Sequence, residues 1–64
     1  MTIHATVETC QGVIAEVAAY RSRASALEAE RKWLREHDIR SRQQREAKSQ
    51  DGTEFIVQEC ELKP

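Results

Sequence analysis

Little in this 64-residue chain breaks or staples a backbone: it has two glycines, one proline and two cysteines. With glycine only at Gly12 and Gly52, tight turns are expected at those two points. Cys10 and Cys60 are too few and too far apart in sequence for a zinc site built on cysteine pairs. A disulfide between them would close a long loop, but the cytosolic setting inferred here favours two reduced thiols. No apolar run approaches the roughly 18 residues of a membrane span, and the opening MTIHATVE lacks the basic and apolar blocks of a signal peptide. A glycine-rich nucleophile elbow is absent and nothing activates either cysteine, so catalysis is not expected. No cofactor is implied.

What is present is one small domain, spanning 1–64. A chain this short buries only about 60 % of its unfolded surface, so stability is expected to be marginal without a partner, a second copy or a cross-link. Apolar residues make up 39 % and charged residues 33 %, a polar composition but not that of a disordered segment.

The clearest element is a helix over 22–38, SRASALEAERKWLREHD. Ser22 or Ser25 can cap it, Ser25 with Glu28 in a capping box. Its interior is almost entirely good helix formers. At about 100° per residue Ala26, Leu27, Ala29, Trp33 and Leu34 form one apolar stripe, opposite Glu28, Arg31, Lys32 and Arg35. Trp33 is the expected keystone of the core. Glu30 and His37 fall near the stripe and are expected to rim it, Glu30 meeting an arginine.

Before the helix, apolar and polar residues alternate on both sides of Gln11-Gly12, which predicts a β-hairpin. A two-residue loop would pair Val7 with Glu16 and mix polar with apolar on each face. A three-residue loop with Gly12 in its third position pairs Val7 with Ala15 and Ala5 with Val17. The expected hairpin is the second. Its inner face, against the helix, then holds Ile3, Ala5, Val7, Val13, Ala15, Val17 and Ala19, and its outer face His4, Thr6, Glu8, Ile14, Glu16 and Tyr20.

After the helix, Ile39 is the last core anchor before RSRQQREAKSQ, a polar run without apolar period. An edge strand or a loop is preferred here over a second helix, because Gln50-Asp51-Gly52 before the β-rich TEFIVQECEL resembles a hairpin turn. Both parities of that last strand carry apolar residues, as in a central strand. The expected fold is α+β in two layers: an antiparallel sheet of three to four strands crossed by one helix, ββαββ or ββαβ.

Charge is unevenly spread. Residues 1–20 hold Glu8 and Glu16 without a Lys or Arg, and 49–62 hold Asp51, Glu54, Glu59 and Glu61, again without one. Nine of the ten bases lie in 21–48, and the whole sums to −1. With helix and sheet as opposite layers, one face is expected to be negative and able to steer the molecule onto a basic partner. The candidate partner-binding residues are Glu8, Glu16, Glu54, Glu59 and Glu61. The alternative is nucleic-acid binding through a basic strip of Arg40, Arg42, Arg45 and Lys48, which lacks interleaved aromatics. His4, His37 and Glu30 lack metal-ligand spacing, so no metal site is expected.

In this overall profile of hairpin, helix, further strand and acidic strands, the chain resembles small phage-borne anti-CRISPR proteins, particularly inhibitors of type I surveillance complexes. That resemblance covers the whole chain and rests on no motif. It implies a non-enzymatic inhibitor in the cytoplasm of a bacterial host. The chain itself is expected to be a monomer or weak homodimer. Its target would be a CRISPR effector whose basic nucleic-acid site it occupies, carboxylates standing in for DNA phosphates. The near-neutral charge and the basic middle depart from strong DNA mimics. A structural partner-binding subunit has the same profile.

Overall fold

In the computed structural model, which describes residues 1–63, the elements run β1 (Thr2–Cys10), β2 (Val13–Tyr20), α1 (Arg23–Glu36), α2 (Arg42–Gln50) and β3 (Glu54–Glu61). The three strands form one antiparallel sheet in the order β2-β1-β3. The α+β class and the sheet crossed by a helix are as expected, but the order is ββααβ. The central strand is β1, and β3 is an edge.

The run from 40 to 50 is therefore mainly a helix, not an edge strand or a loop. Ser41 caps α2 by accepting from the Gln44 N–H at 3.2 Å, and the Gln44 Oε1 accepts from the Arg40 N–H at 2.6 Å. This is a capping box shifted by one residue. Gln50-Asp51-Gly52 is the other end of the same helix rather than a hairpin turn. Gly52 sits at φ 77°, its N–H donates to the Ser49 carbonyl at 2.9 Å, and the Thr53 N–H donates to Lys48 at 3.0 Å. Two such bonds closing over a left-handed residue make a Schellman cap. Helix α1 ends the same way, with Asp38 at φ 53° and the Ile39 N–H donating to the Leu34 carbonyl at 2.9 Å. Its start is capped by Ser22, which accepts from the Ser25 N–H.

The hairpin turn has two residues, not three. Gln11 and Gly12 take φ of 51° and 83°, the type I′ geometry that matches strand twist. Cys10 faces Val13 and Thr9 faces Ile14, then Ala15 is left over as a bulge so that Glu8 faces Glu16 and Val7 faces Val17. The bulge restores the parity that a plain two-residue loop would lose.

Helix α1 lies on the opposite sheet face from the one expected. Its neighbours are Thr6, Glu8, Ala18 and Tyr20 of the hairpin with Phe55 of β3, so the expected outer face is the inner one, except for Ile14, which the bulge leaves on the outside. The parity of β3 explains the inversion. Phe55 pairs beside Glu8, and Val57 beside Thr6. Trp33 follows Phe55 to that face, their rings 5.7 Å apart. The core is Trp33, Ile39 and Phe55, edged by Ala29, Leu34 and Val57. Ala26 has no exposed surface and Thr6 only 3 %, so two small residues let the helix sit close to the sheet. Trp33 is the keystone the stripe predicts.

The molecule is a slab of 39 × 22 × 15 Å, thick enough for two layers only. Among the described residues, no helix is long and apolar enough to cross a membrane.

Candidate functional site: the open sheet face and the carboxylate cleft

Because successive side chains on a strand alternate in direction, the residues that do not face α1 make a second surface. Across β2, β1 and β3 its central row is Val17, Val7 and Ile56, and the next is Ala19, Ala5 and Gln58. Ile3 and Cys60 follow, and Met1 and Leu62 continue the surface, joined by the Leu62 N–H donating to the Met1 carbonyl at 2.8 Å. At the other end lie Ile14, Thr9 and Glu54. Among the described residues nothing covers this face. Ile14 is 64 % exposed, Val17 63 % and Ile56 43 %. Its one strand charge is Glu54, at the rim, where the carboxylate accepts from the Ser49 hydroxyl at 2.7 Å.

The inner face carries the acids. Glu8 and Glu16 stand opposite each other across β1 and β2 and, with Glu36 and Lys32 of α1, edge a cleft of about 180 Å³ beside Trp33 and Phe55. The Glu8 carboxyl is held above its ordinary 4.5 by a hydrogen bond shared with Glu16, then by burial, then by repulsion from Glu16 and Glu36. Lys32 is tied to Glu36 at 3.9 Å. At the far end of the sheet Glu59 pairs beside His4 and lines a groove with Arg23 and Leu27. Glu61 accepts from the Met1 amine at 3.0 Å and the Thr2 hydroxyl at 2.8 Å, and these two bonds lower its pKa. The structure thus brings Glu8 and Glu16 together, puts Glu59 and Glu61 at the other end of the same face, and sets Glu54 on the open face. Glu36 joins Glu8 and Glu16 through the helix, a contact no sequence spacing signals.

The basic strip is largely compensated within the chain. Arg40 meets Asp38 at 3.0 Å, Arg42 meets Glu46 at 3.5 Å, and Arg45 meets Glu30 at 2.9 Å. The last is the arginine expected for Glu30. Arg45 also donates to the Phe55 carbonyl at 3.0 Å, so it pins α2 to the outer edge of β3. Lys48 lies in the last turn of α2, where a cation suits the helix dipole.

His37 packs against Trp33 with ring centroids 4.6 Å apart and planes tilted by 42°. Cys10 and Cys60 lie toward opposite ends of the sheet, in register with Val13 and Ile3. About seven strand residues at roughly 3.3 Å each separate those levels, far outside disulfide reach. Among the described residues no three of His, Cys, Asp and Glu gather as metal ligands would. No family model, curated protein or solved structure matches this chain.

Proposed function

We propose that the protein is a non-catalytic protein-binding module whose docking surface is the open sheet face. The carrying observation is the inversion of the sheet. The face lined by Ile3, Val7, Val17 and Ile56 is uncovered, while the one carrying His4, Thr6, Glu8 and Glu59 receives the helix. Scattered exposed apolar residues need no explanation, but a contiguous apolar sheet face bounded by polar groups marks an interaction site.

A second reading is favoured by the cleft of Glu8, Glu16 and Glu36. Three carboxylates around an aromatic floor suit the Arg or Lys side chains of a basic partner. This is the inhibitor reading carried by the resemblance to anti-CRISPR proteins, with a type I effector as target class and Glu59 and Glu61 of the same face as further contacts; Glu54, on the open face, falls outside that contact. Nucleic-acid binding through Arg40, Arg42, Arg45 and Lys48 draws less support, because three of the four already hold carboxylates.

The readings separate in a capture experiment over a salt series, using the parent, Val17→Glu, and Glu59→Lys with Glu61→Lys as bait. Docking on the open face predicts a protein partner lost with Val17→Glu and retained as salt rises. The inhibitor reading predicts a partner lost with the double lysine variant and released by salt. Nucleic acid bound more tightly by the lysine variant would contradict both.

A further inference from the structure

We infer that the occupant of the open sheet face is a second copy of this chain. The two copies would pack sheet against sheet about a two-fold axis, giving four layers with the helices outside. This rests on the reading of that face as a docking surface and names its partner.

Surface area is the first support. A folded monomer of 7.4 kDa exposes about 4,200 Å² by the usual mass scaling, whereas this chain exposes 5034 Å². The excess, roughly 800 Å², matches what one partner loses in a standard interface. The Cα radius of gyration of 12.4 Å likewise exceeds the roughly 10.7 Å of a compact chain of this length. A second slab laid on the open face would cover area of that size and make the particle less flat.

Charge is the second. A two-fold contact lays a patch on itself, so any charge at its centre would meet its own copy. Here the central row is Val17, Val7 and Ile56, and the only strand charge is Glu54 at one end, already held by Ser49. A nucleic acid would require bases on this face, and its strands carry none. The inner-face acids and the Arg-bearing helices stay outside the contact.

The third is the small core. Ala26, Trp33, Ile39 and Phe55 are the only buried apolar residues among those described. Sheets packed about 10 Å apart interdigitate side chains from both inner faces, so a second copy would turn Val7, Val17 and Ile56 into core.

Sedimentation equilibrium on the whole chain, from low micromolar to near-millimolar, tests this together with thiol labelling. The parent should reach twice the chain mass. Val17→Glu and Ile56→Lys should each weaken dimerisation at least about a hundredfold while the helical circular dichroism is kept, because each would bury an unpaired charge. Using both variants separates face packing from pairing through the free edge of β2, which Ile56→Lys on β3 would leave alone. Labelling needs no substitution: as the parent is concentrated, Cys60 on the open face should become protected while Cys10 at the hairpin tip stays reactive. A parent that is monomeric throughout, or dimers that both variants leave intact, would overturn the inference. A monomeric parent that captures another protein, and loses it with Val17→Glu, would overturn the second copy while keeping the docking face.

Discussion

Gly52 is more constrained than Gly12, although both have positive φ. A Cβ at Gly52 would fall 2.8 Å from the Gly12 Cα, whereas one at Gly12 would meet nothing within 4 Å. The crowding comes from a lock between hairpin tip and β3: the Gly12 N–H and the Thr9 hydroxyl both donate to the Gly52 carbonyl, at 3.0 and 2.8 Å. Gly12→Ala should therefore cost about 1 kcal/mol from backbone strain alone, and Gly52→Ala about 2 to 4 kcal/mol once overpacking is added. Urea unfolding of the two variants checks the ranking. Trp33→Ala should cost about 3 to 5 kcal/mol and leave little folded protein.

Glu8 and Glu61 set opposite pH dependences. Glu8 is raised above 4.5, chiefly by its bond to Glu16, so its folded form binds more protons than the unfolded chain between 4.5 and the folded value. Stability falls as pH rises through that window. Glu61 is lowered, by the Met1 amine first and Thr2 second; its contribution is present above 4.5 and lost as pH falls through the depressed value. Glu8→Gln should raise stability at neutral pH by a few tenths of a kcal/mol, discounted for solvent screening, and flatten the decline above pH 4.5. Thermal melts across pH read both changes.

Among the elements, α1 was legible because propensity, cap and apolar stripe agree over 14 residues. Helix α2 was not, because it has no apolar stripe and none of its residues is buried. Its signals are at its ends: Ser41-Arg42-Gln43-Gln44 is a capping-box spacing, and Asp51-Gly52 closes a helix as readily as a hairpin. Arg45 anchors this polar helix by bridging Glu30 and the Phe55 carbonyl. Arg45→Ala should lower stability by about 1 to 2 kcal/mol and speed amide exchange in α2 before the rest of the chain. Equal α2 exchange in the parent and in Arg45→Ala would show that α2 is held by other contacts.

The hairpin shows a different limit. Alternation located both strands, but the choice of covered face depended on Phe55 and Val57, some forty residues downstream, and on the Ala15 bulge. Of the candidate site, the clustering of Glu8 with Glu16 was within reach of the pairing logic. The third carboxylate, Glu36, and the placement of Glu54 on the other face follow only from the packing.

For the whole molecule, the inverted sheet ties these observations together: a thin slab with a small core on one side and an apolar plane on the other. Adjacent residues of β3 test it. Phe55 is 6 % exposed under Trp33, and Ile56, one step on, is 43 % exposed on the open face. Urea unfolding of Phe55→Asp and Ile56→Asp, at a concentration where the parent is monomeric, reads the two faces separately. Phe55→Asp should show no cooperative transition, while Ile56→Asp should keep one within about 1 kcal/mol of the parent, the span of strand propensity at an exposed position. An Ile56→Asp variant as unfolded as Phe55→Asp, or a folded Phe55→Asp, would contradict the inverted sheet.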